Sequence, residues 1–560
     1  MLKTRVLKPT DEAHSTPLLI KSLLLSGRRY ESSQEIVYRD ISRYDYTTFN
    51  QRICQVANAL TKAGVKAGDT VAVMDWDSHR YLELMFAVPM LGAVMHTINI
   101  RLSPEQILYT MNHAEDIFVL VNSEFVPIYK AIEGQLTTVE KTILLTDEAD
   151  KTADLANLVG EYEELLAAEP TTYDFADFDE NSVATTFYTT GTTGNPKGVY
   201  FTHRQLVLHT LVQAGSMGGL DSVRLLGNRD VYMPITPMFH VHAWGLPYTA
   251  TLLGLKQVYP GRYEPELLMQ LIKQEKVTFS HCVPTILGML LGTPSAQDHD
   301  FGGMKVIIGG SALNRSLYDT AKAKGMQLTA AYGMSETCPL ISSGYLNLEQ
   351  EAASDDEQAR ARIKAGLPVP LAEARLMDPE GNFLPHDGST QGELVLRSPW
   401  LTQAYFREPE KSAELWAHGW LHTGDVATID KNNAIEIRDR IKDVIKTGGE
   451  WISSLELEDL ISQSSAVAEV AVVGVPDPQW DERPFALVVA APGQEMSAKV
   501  LSDHLKGYVA EGRINKWAIP SQIAVVSEIP KTSVGKLDKK RIRGEIAEWQ
   551  KNNEPFLSSL

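Results

Sequence analysis

Short apolar runs rich in β-branched residues, at 70–74, 117–121, 143–145 and 305–308, alternate with longer stretches in which apolar residues recur at helical spacing. That alternation predicts an α/β fold with parallel-rich sheets. After about Gly366 the pattern shortens to strands and turns, including 392–397, and predicts a β-rich subdomain over about 366–440. The charged stretch 349–362 just before it reads as an exposed helix or loop. Beyond Arg440 the pattern changes again, with a helix predicted over 454–465 and strands over 468–475 and 485–490. Residues 1–440 are therefore expected to form a large N-terminal domain and 441–560 a small α+β C-terminal one.

Two segments, 231–255 and 277–297, carry no acidic or basic side chain and are long enough to span a bilayer. Five prolines (Pro234, Pro237, Pro247, Pro284, Pro294) and three histidines (His240, His242, His281) interrupt them, so buried core and pocket wall are predicted instead of an integral membrane span. A chain of 560 residues, 44% of them hydrophobic, exceeds what one core organises, which also points to more than one domain. The formal net charge of -19 disfavours nucleic acid and anionic lipid as partners. Cys54, Cys282 and Cys338 are few and far apart, which fits a reducing compartment and suggests neither a zinc site nor a disulfide framework. The N-terminal residues lack the apolar core of a signal peptide and the C-terminal ones a lipidation signal, so a cytoplasmic location is expected.

Chemistry concentrates at 189–198, TTGTTGNPKG, between a strand-like ATTFY and a segment whose Thr202 is placed to cap a helix. In Thr189, Thr190, Gly191, Thr192, Thr193 and Gly194, glycines let the backbone turn toward a phosphate while hydroxyls and amides donate to its oxygens. Lys197 adds positive charge. The spacing is not that of a Walker loop, since Pro196 precedes the lysine and Gly198 follows it, so an ordinary P-loop ATPase is disfavoured. A polar Gly/Thr surface turn is the plain alternative.

This loop resembles the signature of the adenylate-forming superfamily, which comprises acyl-CoA synthetases, peptide-synthetase adenylation domains and firefly-type luciferases. The resemblance continues in order through AAYGMSET (330–337), GWLHTGD (419–425), RDRIKDVIKTGGEWISSLELE (438–458) and PKTSVGKLDKKRIR (530–543). It implies that Tyr332 stacks on adenine, with Gly333, Met334, Ser335 and Thr337 beside the nucleotide, and that Glu336 holds magnesium together with Thr189. Asp425 and Arg440 are implied as ribose contacts and Lys442 as the hinge between the two domains. Gly448 and Gly449 are implied on the route of coenzyme A, and Lys536 as the catalytic lysine of adenylation. Taken alone, Asp425 is a turn aspartate, 438–458 a charge-alternating helix face, against which the pair Gly448 and Gly449 favours a loop, and the six basic residues of 530–543 a solvated surface or a nucleic-acid patch that the acidic chain disfavours.

The segment PMFHVHAWGLPY (237–248) resembles the acyl tunnel of fatty-acid ligases. It implies His240 near the carboxylate, Trp244 as an aromatic gate beside Gly245, and His242 as core. Gly309, Gly310, Ser311 and Ala312 in IIGGSAL, with Gly333 and Met334, would complete a pocket whose small residues leave room for an alkyl chain, and the resemblance also implies Gly310, Ser311 and Ala312 beside the nucleotide. The run GEWIS also looks closer to fatty-acid ligases than to aryl-acid ones, so the resemblance implies an ATP- and Mg2+-dependent ligase joining a medium-chain fatty acid to coenzyme A through an acyl-adenylate. A short or sulfur-substituted acid such as methylthiopropionate, transfer to a carrier protein, and a luciferase-like oxygenase remain open. So does a non-catalytic nucleotide-binding protein, against which the joint presence of Lys197, Glu336, Asp425, Arg440 and Lys536 speaks. Monomer and homodimer are equally compatible with the sequence.

Overall fold

The computed structural model describes residues 5, 7–148, 151–189, 195–219, 225–447, 450–494, 496–520, 522–532 and 535–552. The predicted runs form strands, two of them (Thr70–Met74 and Lys305–Ile308) with the predicted bounds, while the run at 117–121 lies inside the longer strand Asp116–Asn122. They assemble into a seven-stranded sheet, running from Leu158–Glu161 at one edge to Lys197–Thr202 at the other, and a nine-stranded sheet. In the first, every neighbouring pair is parallel except the last, where Val183–Thr189 and Lys197–Thr202 run antiparallel.

The helix His79–Met90 lies between these sheets, touching strands of both, and all its residues are buried. Its two interior charges therefore need partners. Glu83 accepts from Arg52 at 2.6 Å and from the Tyr162 hydroxyl at 2.6 Å, and Arg80 donates to the Thr146 carbonyl at 3.0 Å.

A four-stranded antiparallel sheet follows, from Glu373–Met377 to Ile435–Arg440, and includes Gly392–Arg397 as predicted. The stretch read as a possible charged helix after Arg438 is instead a strand ending at Arg440, a turn, and a second strand at Ile445–Thr447. The remaining sheet is built from residues 445 onward. Its strand Val467–Asp477 buries Val470 and Val472 on one face, with Leu457 and Leu460, and Ala471 and Val473 on the other, with Ile542. Burial on both faces explains its unbroken apolar run.

The segment 231–255 folds into the strand Val231–Pro234, a left-handed turn at Val241–Trp244 and the helix Leu246–Leu253. Among the described residues no helix is long and apolar enough to cross a membrane. The charged stretch near 349–362 forms the helices Leu348–Glu351 and Asp355–Arg362.

Candidate active site

One cavity of about 1790 Å³ brings together residues from Asn99 to Arg543. Its first wall comes from the antiparallel pair of strands in which Thr189 lies opposite Lys197. Residues 190–194, the Thr/Gly centre of the predicted phosphate loop, lie outside the described residues. Thr202 does cap the following helix, its hydroxyl accepting from the Gln205 amide at 3.3 Å. The Lys197 ammonium stands 4.5 Å from the centre of the Tyr405 ring, and the Tyr405 hydroxyl donates to Glu336 Oε1 at 2.6 Å. Glu336 is only 7% exposed, so this hydrogen bond orients a carboxylate withdrawn from bulk water.

A second wall rests on register. Asp425 and Arg440 are direct partners on neighbouring antiparallel strands, which places Arg440 Nε 3.3 Å from Asp425 Oδ1. The Tyr332 hydroxyl donates to the other oxygen, Oδ2, at 2.6 Å. Burial pushes the Asp425 carboxyl above its ordinary range, while Arg440 and the Tyr332 hydrogen bond pull it back. Next to Tyr332, Gly333 has no room for a side chain, because a Cβ there would meet the Pro339 carbonyl oxygen at 1.9 Å. Met334, Ser335, Ser311 and Ala312 line the cavity. Thr337 is fully buried and accepts from the Met334 amide at 2.9 Å, so it shapes this turn from behind.

Lys536 enters from the C-terminal side. A Cβ on Gly310, whose φ is +80°, would lie 3.1 Å from Lys536 Cε, so the lysine stem runs across the bare backbone of that glycine. Burial lowers the ammonium to about 8, with Arg440 adding to the effect and Asp425 and Glu336 opposing it.

The wall formed by residues 240–244 contains an uncommon backbone. Val241, His242, Ala243 and Trp244 all have positive φ, between 47° and 59°, followed by Gly245 at 75°. A left-handed turn of L-residues costs about 1–2 kcal/mol per residue, so its surroundings must hold it. Gln213 does so: its amide donates to the Trp244 carbonyl at 2.8 Å, and its own oxygen accepts from Thr249 at 2.7 Å. The turn presses the Trp244 indole against Gly309, where a Cβ would come within 3.1 Å of the ring. His240, just before the turn, lines the cavity; burial pushes its imidazole down to about 3, helped by the charges of Lys536 and Arg101. His242 is fully buried and packs edge-on against Phe187, as its reading as core requires. Gly245 sits behind the wall against His209.

Lys442 lies exposed in the turn after Arg440 and also lines the cavity. Gly448 and Gly449 fall outside the described residues, although Thr447 and Glu450 on either side pair across antiparallel strands. Two participants carry no mark in the sequence. Tyr405 lies in an ordinary polar stretch and reaches Glu336 across 69 positions, and Gln213 reads as one polar residue of a helix. Nothing in their spacing distinguishes them from surface residues.

Comparison with known proteins gives matches over nearly the whole chain. The family model described as AMP-binding enzyme matches residues 26–406, and that described as AMP-binding enzyme C-terminal domain matches 456–536. The chain is 38% identical over 546 residues to a long-chain-fatty-acid–CoA ligase of Thermus thermophilus, covering 96% of each chain. It is 37% identical over 537 residues to a 3-methylmercaptopropionyl-CoA ligase of Ruegeria lacuscaerulensis, covering 95% of this chain and 97% of that one. Among solved structures, an anthranilate CoA ligase in complex with anthranoyl-AMP superposes with a TM-score of 0.83 at 23% identity, over 96% of this chain and 99% of that one.

Proposed function

Since the chain belongs to the AMP-binding enzyme family, we propose that it is an acyl-CoA ligase acting on a fatty acid of medium length, in two half-reactions at one cavity. In the first, a carboxylate oxygen attacks the α-phosphorus of ATP and pyrophosphate leaves. In the second, the thiol of coenzyme A attacks the acyl carbon of the mixed anhydride and AMP leaves. The observation that carries the reading is the convergence of Lys536, the Tyr332–Asp425–Arg440 cluster and the Lys197–Tyr405–Glu336 cluster on one cavity.

The first half-reaction brings two anions together, which demands fixed positive charge and an in-line arrangement. Lys536 is suited to bridge the carboxylate and α-phosphate, and Lys197 to meet the outer phosphates. Asp425, held between Tyr332 and Arg440, is suited to accept from ribose hydroxyls. His240, kept neutral by burial, is suited to hydrogen-bond the carboxylate without joining it in a stable ion pair, which would leave the oxygen nucleophilic. Magnesium fits at Glu336, a buried carboxylate on the cavity wall, because that cation is bound by one or two carboxylates together with substrate phosphates. When bound, it supplies charge neutralisation at the triphosphate.

We place the domain boundary at Arg440 and the hinge at Lys442, with the C-terminal domain rotating between half-reactions so that Lys536 withdraws and pantetheine enters near Gly448 and Gly449. Buried apolar residues from Ile445 onward form cores of their own, as a body that moves as a unit requires. A short sulfur-containing acid is the second reading, favoured by the Ruegeria relative.

The test is a panel of carboxylic acids from three to sixteen carbons, read as AMP released with coenzyme A and as acid-dependent ATP–pyrophosphate exchange without it. Each methylene buried contributes about 0.8 kcal/mol, so kcat/KM should climb about fourfold per carbon up to the pocket floor and then fall. Release of no pyrophosphate with any acid overturns the proposal, and an optimum at methylthiopropionate selects the second reading.

A further inference from the structure

Lys536 sits at the end of a short turn. The Thr532 amide donates to the Lys536 carbonyl at 2.7 Å, the Gly535 amide donates to the Thr532 carbonyl at 2.9 Å, and Gly535 has φ +82°. This turn fixes the lysine relative to its own domain but not relative to the cavity. One contact that spans the two bodies beside Lys536 is made by Thr285, in the first turn of the helix Pro284–Leu291, whose hydroxyl donates to the Gly535 carbonyl at 2.8 Å; farther off, the Arg315 amide donates to Asp459 Oδ1 at 3.2 Å. Thr285 and Gly535 are 250 positions apart. Val283, immediately before the helix, lies below Gly310 and beside Gly535, so hydroxyl and lysine stem are aligned on one strip of wall.

We propose that Thr285 is a positioning residue for the adenylation half-reaction: by holding the Gly535 carbonyl it docks the Lys536 turn against the cavity, and it releases that turn when the C-terminal domain moves. The inference rests on the assignment of Lys536 to adenylation. Its chemistry is specific, because a carbonyl accepts only from a donor, and the Thr285 side chain supplies one hydroxyl at the point where the turn meets the wall. A valine there has the same shape and no donor. The docked arrangement then loses one hydrogen bond that the withdrawn arrangement never made.

The experiment uses the full chain. Thr285→Val is expected to lower kcat of acid-dependent pyrophosphate exchange by about fivefold to tenfold, the population change expected of one hydrogen bond, with KM for ATP altered less than twofold. Thioester formation from a supplied acyl-adenylate is expected to fall less than twofold, and Thr285→Ser, which restores the donor, to recover most of the exchange rate. In a Lys536→Ala background, Thr285→Val should cause no further loss. Equal losses in both half-reactions, failure of the serine variant to recover, or an additive loss on Lys536→Ala overturns the role of Thr285. If Lys536→Ala itself leaves exchange intact, it is the assignment of Lys536 that fails. A thermal melt of each variant identifies loss of folding, which would lower both half-reactions together and so count against the proposal.

Discussion

The depressed ammonium of Lys536 makes a pH dependence that can be worked out in sign and size. Its value of about 8 lies far below the ordinary lysine range because burial disfavours the charged form and Arg440 repels it. If the protonated amine is what gathers carboxylate and α-phosphate, kcat/KM for pyrophosphate exchange is level below pH 8 and falls with unit slope above it. About nine-tenths of the free enzyme is protonated at pH 7 and about one-tenth at pH 9, a loss of roughly tenfold. No descending limb comes from His240, whose imidazole titrates at about 3.

Two variants move the break in opposite directions. Arg440→Gln removes a cation that lowers Lys536 and should shift the break upward, whereas Asp425→Asn removes a carboxylate that raises it and should shift it downward. Both will also weaken ATP binding, so the assay is the position of the break in kcat/KM between pH 7 and pH 10 at constant ionic strength, not the rate itself. Lys536→Arg, which stays charged throughout, should abolish the break. A break that persists in Lys536→Arg, or that moves the same way in both neighbouring variants, refutes the reasoning.

Two further outcomes follow from the geometry. Tyr405→Phe removes the 2.6 Å hydrogen bond that orients Glu336, and a bond to a carboxylate contributes about 1.5–3 kcal/mol; KM for Mg-ATP should rise tenfold or more, and an unchanged KM would show that Glu336 needs no such support. Gly333→Ala forces a methyl group to 1.9 Å from the Pro339 carbonyl oxygen, so the strand must shift; a cost of about 1–3 kcal/mol should appear as a lower melting temperature together with lost exchange, and wild-type behaviour in both would contradict the packing.

The sequence alone determined the class of fold and the order of the motifs. Strand runs such as 70–74 and 305–308 are legible because β-branching and turn residues act on neighbours along the chain. Signature segments are likewise continuous, so Tyr332, Glu336, Asp425 and Lys536 stand out by their place within short runs. Tertiary structure decided which side chains hold those residues in place. The pairing of Asp425 with Arg440 follows from strand register, the support of Glu336 by Tyr405 bridges 69 positions, and the hydrogen bond from Thr285 to the Gly535 carbonyl bridges 250. The left-handed turn at 241–244 was likewise hidden, because four L-residues with ordinary preferences show no sign of positive φ until Gln213, from another helix, is placed against them. Local pattern reports what a residue does to its neighbours in the chain, whereas a catalytic wall is made by neighbours in space, and their chain separation leaves no periodicity to read.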